Sequence, residues 1–336
     1  MKSKFSLVII ASLCLTTLMT FFGCKNPTEK NTQKLELASQ NDPLKITATI
    51  GMVGDVLRNI VGDHGNVDIL IGQGIDPHLY KASRGDVVSL MEADIIFYNG
   101  TLLEGQMGDT LVKVSTSGKP VYAVTDNLQN QENYLLTDEE NHYDPHVWMD
   151  VQGWMSATEV MVDALSKLDP KNASTYTSNA EKYKSELSKL DTYAKESIAT
   201  IPETQRFLVT AHDAFGYMGR AYGLDVRGIQ GLSTESEAGV RDIEELIDFL
   251  VQQKIPSVFI ETSIAAKNIK ALIEGAKAKN LEVSIGGELF SDAMGAAGSY
   301  EGTYIGMIDH NITTITRALG GQAPEKGMNG LLSLSH

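Results

Sequence analysis

The chain of 336 residues carries 43 acidic and 28 basic side chains, which gives a formal net charge of −15 at pH 7. This negative charge makes nucleic acids and anionic membrane surfaces poor electrostatic partners, whereas divalent cations are compatible with it. The chain is also longer than one hydrophobic core comfortably supports, so two lobes are expected.

Residues 1–23 have the layout of a secretory signal peptide, with early lysines, an apolar run and a small last residue. The apolar run is near the minimum length of a membrane span, so an uncleaved anchor is the alternative. The junction before Cys24 resembles a bacterial lipobox, and we expect secretion across the cytoplasmic membrane, cleavage there and lipid attachment at Cys24. Cys14 would leave with the signal, and the polar residues 24–43 are predicted to form a flexible tether. The mature protein would then be lipid-anchored at the cell membrane, facing the periplasm or the exterior.

The predicted first lobe covers residues 44–168 and alternates short β-rich runs with helix-like segments. The runs are continuously apolar, which indicates parallel strands buried on both faces rather than a one-sided sheet. The predicted strands are KITATI (45–50), VDILI (67–71), DIIFY (94–98) and PVYAV (120–124).

Residues 169–202 form the most regularly periodic segment, in which apolar residues recur at spacings of four and three until Pro202. These residues are Tyr176, Ala180, Tyr183, Leu187, Leu190, Ala194, Ile198 and Ile201. The pattern predicts one long helix that links the lobes and limits them to small rocking or local loop movements. The alternative is an exposed coiled coil that dimerises the protein.

The predicted second lobe covers residues 203–320 and is followed by a tail at 321–336. Its predicted strands are RFLVTA (206–211), LDVRGI (224–229), PSVFIE (256–261) and LEVSI (281–285). The expected fold class is therefore α/β, with two parallel-sheet lobes joined by one long helix and a ligand cleft between them.

Four potential metal ligands follow predicted strands, at the edge where parallel sheets bind their ligands. They are His78 after VDILI, His146 after PVYAV, His212 after RFLVTA and Asp292 after LEVSI. A lone loop histidine is more often structural, but four such positions divided evenly between two lobes favour a shared site. Three imidazoles and one carboxylate suit a transition metal, and the sequence predicts such a site between the lobes. Because histidine must be neutral to bind, affinity is expected to decline as the pH falls through about 6.

The tripeptide Asp-Pro-His occurs twice, in IDPHLY (75–80) and YDPHVW (143–148), each time followed by an apolar residue and an aromatic. Proline restricts the backbone before each histidine, which lowers the entropy cost of placing its ring. Asp76 and Asp144 are expected to cap these loops or to orient the rings, and Glu261 is a competing ligand or another acceptor. The other histidines are expected in structural or exposed positions: His64, His142, His310 and His336.

Longer motifs resemble the zinc/manganese-type solute-binding proteins of bacterial ABC transporters, the TroA-like metal-binding lipoproteins of cluster A-I. The motifs are DPHLY, DPHVWMD, TAHDAFGYMGRAYGL, FIETSI and GGELFSDAMG, and the resemblance extends from about residue 44 to 320. It implies a high-affinity extracytoplasmic receptor that delivers metal to an ABC permease and its ATPase subunit. It also implies that His78, His146, His212 and Asp292 are the metal ligands.

The resemblance also ranks the cargo. Manganese-dedicated relatives often have glutamate at the position of His212, whereas histidine occurs in zinc receptors and in receptors that accept both metals. We therefore expect Zn²⁺ first and Mn²⁺ second. The long His-rich loop of many zinc receptors is missing, since only His142 stands in that region. A monomer is expected.

Two other functions compete with the receptor. A secreted zinc-dependent hydrolase would leave a coordination position for water and use Asp292 or Glu261 as general base. A surface adhesin is compatible with lipid attachment. Four protein ligands favour binding without catalysis, so no enzymatic activity is expected.

Overall fold

Strands and α-helices alternate through residues 42–333, the part of the chain that the computed structural model describes. The strands are β1 Leu44–Ala48, β2 Gly65–Ile69, β3 Ile95–Tyr98, β4 Val121–Ala123, β5 Phe207–His212, β6 Asp225–Gln230, β7 Ser257–Glu261 and β8 Ser284–Leu289. The helices are α1 Gly51–Val61, α2 Arg84–Glu92, α3 Gly108–Thr116, α4 Val151–Leu168, α5 Ala173–Ala199, α6 Gly216–Tyr222, α7 Val240–Gln253, α8 Lys267–Ala278 and α9 Tyr304–Ala318. The predicted signal, the lipid-bearing cysteine and most of the tether lie outside the described residues.

The first lobe is built on a four-stranded parallel sheet with the strand order β2-β1-β3-β4. Ile46 in β1 pairs with Val67 of β2 on one side and with Ile95 of β3 on the other. The side chains of β1 and β3 are almost all buried, as continuously apolar runs predict for central parallel strands. The prediction of a parallel sheet in this lobe is confirmed.

The second lobe is also parallel, but its strands form two short sheets, β5-β6 and β7-β8, rather than one continuous sheet. Strand β5 lies beside β7. At their carboxyl ends, the backbone N–H of His212 donates to the Glu261 carboxylate at 2.9 Å, so a side chain takes the place of a ladder carbonyl. The strands of both lobes end at the edge where ligands bind in parallel α/β folds.

The long helix α5 connects the lobes. It follows a short 3₁₀ turn at Pro170–Asn172, and every apolar position of the predicted stripe is buried. Tyr183 Oη donates to Asp55 of α1 at 3.1 Å, and Tyr193 Oη is 2.7 Å from Thr313 Oγ1 of α9. The stripe therefore packs inside the chain, which leaves it unavailable for a coiled-coil partner.

The described residues form two hydrophobic clusters. The larger one is continuous from the first sheet through α4 and α5 to α9, and the smaller one lies among β5 to β7, α7 and α8. Residues 321–333, the described part of the predicted tail, contact α9, where Met328 N donates to Asp309 Oδ1 at 2.8 Å. Within residues 42–333, no helix has both the length and the apolar character that crossing a bilayer requires.

Candidate metal centre

Both lobes contribute to one cluster of potential metal ligands. His78 lies in the loop after β2, and His146 lies just before a short 3₁₀ turn that leads into α4. His212 is the last residue of β5 rather than the first after it, and Asp292 follows β8. The described structure thus brings together the four residues that the sequence nominated from separate loops.

One ligand atom from each of the four residues lies within 4.8 Å of the other three. His78 Nε2 is 3.3 Å from His146 Nε2, and His212 Nε2 is 3.2 Å from Asp292 Oδ2. His146 Nε2 is 3.4 Å from Asp292 Oδ1. At these separations a single cation between the atoms would contact all four residues.

The cluster is buried, and several of its polar atoms are unpaired. His78 and Asp292 are 3% and 1% exposed, and the other two histidines are fully buried. Within residues 42–333, His212 Nε2 and both carboxylate oxygens of Asp292 have no hydrogen-bond partner. An unpaired buried carboxylate is costly, and an interior one is normally held by an opposite charge or a metal. The donor set therefore fits a divalent transition-metal ion.

Carboxylates fix the orientation of two of the three rings. Asp144 Oδ1 accepts from His146 Nδ1 at 2.7 Å and from His146 N at 2.9 Å. Glu261 Oε2 accepts from His212 Nδ1 at 2.5 Å. Because each Nδ1 donates to its carboxylate, each Nε2 faces the cluster centre and can offer a lone pair to a metal ion once its own proton is displaced. Glu261 thus acts as an acceptor that orients His212, one of the two roles expected for it.

Asp76 behaves differently from its counterpart in the repeated tripeptide. Its Oδ1 accepts from the backbone N–H of His78 at 2.8 Å, which caps the loop, and its other oxygen accepts from Thr234 Oγ1. Asp144, by contrast, both caps its loop and orients the ring of His146. The two copies of Asp-Pro-His therefore use the same backbone turn with different side-chain partners.

The pKa values of the cluster diverge. Burial lowers the pKa of His78 to about 3, although Asp292 opposes the shift. Burial also disfavours the charged form of His146, but Asp144 and Asp292 outweigh it and raise its pKa to about 9. Burial disfavours the charged form of His212 too, but Glu261 and Asp292 outweigh it and raise the pKa of His212. Although burial opposes it, the charged rings of His212 and His146 hold the pKa of Asp292 well below its usual value. Asp292 is therefore anionic, as a metal ligand must be.

Trp148 is a supporting residue that the sequence reasoning did not single out. Its ring packs edge-on against His146 with the ring centroids 5.3 Å apart, and its Nε1 donates to Ser291 O at 3.0 Å. It thereby ties the second Asp-Pro-His loop to the residue before Asp292. The only available signal was the aromatic that follows each tripeptide, and Tyr80, its counterpart, instead donates to Asp86 at the start of α2.

The remaining described histidines lie outside the cluster, as expected. His64 ends a 3₁₀ turn before β2, and exposed His142 pairs with Asp138 at 3.0 Å. His310 lies on α9 with its Nε2 2.9 Å from Glu288 O. His336 is outside the described residues.

A cleft of about 690 Å³ leads to the cluster, and His78 is one of its lining residues. The first lobe contributes Gln106 and the segment around His142, and the second lobe contributes residues of the loop after β6. Asp138, Glu140 and Glu235 also line it, so the approach carries negative charge that favours cations.

Comparison with known proteins agrees with this geometry. The family model described as zinc-uptake complex component A, periplasmic, matches residues 46–318. The manganese-binding lipoprotein MntA of Bacillus subtilis is 46% identical over 281 residues, which cover 84% of this chain and 91% of the relative. The zinc-binding protein TroA of Treponema pallidum is 43% identical over 318 residues, covering 95% and 99%. The solved structure of the periplasmic zinc-binding protein TroA from Treponema pallidum is similar at a TM-score of 0.80 with 45% identity, covering 83% of this chain and 99% of that one.

Proposed function

Since the chain belongs to the family of periplasmic zinc-uptake component A proteins, we propose that it is an extracytoplasmic receptor that binds one divalent transition-metal ion and delivers it to an ABC importer. His78, His146, His212 and Asp292 are proposed as its ligands. The ion is the cargo of the protein, and a permease with its ATPase subunit would be the recipient.

The observation that carries this proposal is the set of unpaired polar atoms at the centre of the cluster. Three buried ligand atoms lack hydrogen-bond partners among residues 42–333. The Nδ1 atoms of His146 and His212, on the far side of their rings from the centre, donate to carboxylates. A site assembled this way stabilises the fold when an ion occupies it, because only the folded chain brings the four ligands together.

Zinc is proposed as the first cargo and manganese as the second. The named relatives include a manganese-binding and a zinc-binding protein at similar identity, so their names support both ions. Three imidazole nitrogens favour Zn²⁺ over Mn²⁺ in intrinsic affinity, and the single carboxylate keeps Mn²⁺ acceptable. Metal availability outside the cell then decides which ion is carried.

The geometry disfavours the hydrolase alternative. Both oxygens of Glu261 are occupied by hydrogen bonds from His212, and Asp292 is itself one of the four proposed ligands. Neither carboxylate is left to activate a water molecule as a general base. Four protein ligands instead close the shell around the ion, which suits capture and transfer.

We also propose cleavage before Cys24, lipid attachment at this cysteine and a monomeric receptor on the outer side of the cytoplasmic membrane. Lipoproteins among the relatives support the anchoring. Replacing Cys24 by serine should move the protein from the membrane fraction to the soluble fraction, and an unchanged distribution would contradict the anchor.

The function can be tested by titrating metal-stripped protein with Zn²⁺ and Mn²⁺. One equivalent should bind, zinc should displace manganese, and either ion should raise the melting temperature. His212→Ala should lose most of the affinity, because it removes a ligand and leaves Glu261 unpaired. His142→Ala, which changes an exposed histidine of the cleft, is the matched control and should bind like the wild type. Equal binding by both variants would contradict the proposal.

A further inference from the structure

The loop between β6 and α7, residues 231–239, reaches across the cleft from the second lobe, and we call it the latch loop. Several of its residues line the cleft opposite Thr101, Leu102 and Gln106 of the first lobe. Its neighbouring residues Ser233 and Glu235 are exposed, but Thr234 between them is only 9% exposed. One polar residue is thus buried within a mostly exposed loop, which indicates a specific partner.

That partner is Asp76 of the first lobe. Thr234 Oγ1 donates to Asp76 Oδ2 at 2.5 Å, and Asp76 Oδ1 accepts from the backbone N–H of His78 at 2.8 Å. One carboxylate therefore connects the latch loop of one lobe to the backbone of a proposed metal ligand on the other. A hydrogen bond from a hydroxyl to a carboxylate is among the stronger kinds in proteins.

The comparison with Asp144 shows that this contact is not a general property of the Asp-Pro-His turn. Asp144 uses one oxygen for both the backbone and the ring of His146, and these contacts stay within a single loop. Asp76 has the same position in its tripeptide, yet its second oxygen bonds a residue 158 positions away. The first copy of the tripeptide thus forms a hydrogen bond with the opposite lobe, which the second copy does not do through its aspartate side chain.

A second contact across the cleft joins Gln106 Nε2 to Glu235 Oε1, and both side chains are exposed. Exposed polar contacts contribute little to stability because water competes for both groups. The part-buried contact at Thr234 is therefore the better candidate for the one that holds the latch loop in place.

We propose that Thr234 is a positioning residue whose hydrogen bond to Asp76 holds the latch loop over the loaded centre and slows the release of the metal ion. The inference rests on the proposed metal-receptor function. Because the contact joins the two lobes that flank the proposed site, we expect its loss to act on dissociation of the ion more than on encounter.

In the test, Zn²⁺-loaded protein is mixed with excess EDTA, and the rate of zinc release is monitored by tryptophan fluorescence. The chain has two tryptophans, and Trp148 packs against His146. Thr234→Val, which keeps the side-chain shape without the hydroxyl, should release zinc about 10-fold to 100-fold faster, the effect of one hydrogen bond to a charged group. Its association rate should stay near that of the wild type. Thr234→Ser, which restores the hydroxyl, should release zinc near the wild-type rate.

Ser236→Ala, in an exposed position of the same loop, is the matched control and should leave release unchanged. If Thr234→Val does not fold, Thr234→Ala is compared with Thr234→Ser instead. Equal release rates for the variants with and without the hydroxyl would overturn the latch while leaving the receptor intact. A wild-type protein that takes up no Zn²⁺ or Mn²⁺ would instead contradict the receptor function itself.

Discussion

Two of the three histidine rings at the centre are oriented by carboxylates that come from different distances along the chain. Asp144 is two residues from His146, so its contact is part of a local turn. Glu261 is 49 residues from His212 and reaches it only because β5 and β7 end side by side. The direction of the His212 lone pair therefore depends on the packing of the second lobe.

This dependence predicts a specific effect of Glu261→Gln. His212 N and Nδ1 donate to different oxygens of Glu261, and the amide replaces one of these oxygens by an NH₂ group that cannot accept, so one of the two contacts is lost. We expect zinc affinity to fall about 10-fold to 100-fold, the usual effect of losing the acceptor behind a ligating histidine. Competition titration measures it. Glu288→Gln, the same change at an exposed position of β8, is the control, and equal affinities for both variants would contradict the assigned role.

The raised pKa values of His146 and His212 predict that zinc displaces protons when it binds. With the pKa of His146 at about 9, the apparent association constant should rise at least about tenfold per pH unit between pH 6 and 8. On acidification, zinc affinity therefore starts to decline at a pH well above the value of about 6 that residue type alone suggests. Titration in buffers of different ionisation enthalpy measures the proton release, and an affinity equal at pH 6 and 8 would argue against it.

The raised pKa of His146 also makes the stability of the metal-free protein depend on pH, in the opposite direction to zinc affinity. A folded-state pKa of about 9 against about 6.5 in the unfolded chain stabilises the fold fully below pH 6.5, and this stability is lost as the pH rises through 9. Melting temperatures of metal-stripped protein should therefore fall between pH 7 and 9, while zinc affinity rises. A melting temperature that increases over this range would contradict the assigned charge of His146.

At this scale the sequence predicted which side chains meet but not how they are supported. The four proposed ligands could be nominated because each follows a predicted strand and the carboxyl ends of parallel strands share an edge. The role of Glu261 stayed open between ligand and acceptor, because it depends on a few ångströms of strand alignment. The Thr234–Asp76 contact had no sequence signal, since it depends on how two lobes pack.

At the scale of the elements, the helix α5 stabilises the molecule through a single buried stripe. We expect Leu187→Ala to lower the free energy of unfolding by about 2–5 kcal/mol, because Leu187 is fully buried and its loss leaves a cavity. Lys182→Ala, on the exposed face of the same helix, should change it by no more than about 0.5 kcal/mol. Denaturant unfolding of both variants measures the difference, and similar values would mean that the stripe is not a major part of the core.

The bounds of helices and strands were predictable where the burial of apolar residues determines them, and less predictable where close packing between elements determines them. Periodicity placed α5 and most strands to within a few residues. Strand β8 was predicted at 281–285 but is observed at Ser284–Leu289, where two glycines, at 286 and 287, interrupt the apolar pattern. A Cβ on Gly287 would lie 2.4 Å from Thr314 Cγ2 of α9, so this glycine lets the helix approach the strand. That requirement becomes visible only in the folded molecule.

At the scale of the whole molecule, the larger hydrophobic cluster extends from the first sheet through α4 and α5 to α9 of the second lobe. A wide hinge motion would expose this shared apolar surface, and each buried square ångström costs about 25 cal/mol to expose. Opening of the centre by a local movement of the latch loop avoids that cost. The lobe boundaries at residues 168 and 203 stay a prediction, since the larger cluster is continuous across them.

Four residues, distant in the chain, are proposed to bind one ion between the lobes. Anomalous diffraction at the zinc edge from crystals soaked in Zn²⁺ tests it most directly. We expect one ion bonded to the Nε2 atoms of His78, His146 and His212 and to the carboxylate of Asp292, at about 2.0–2.2 Å. An ion bound elsewhere, or a zinc site that omits two or more of these residues, would contradict it.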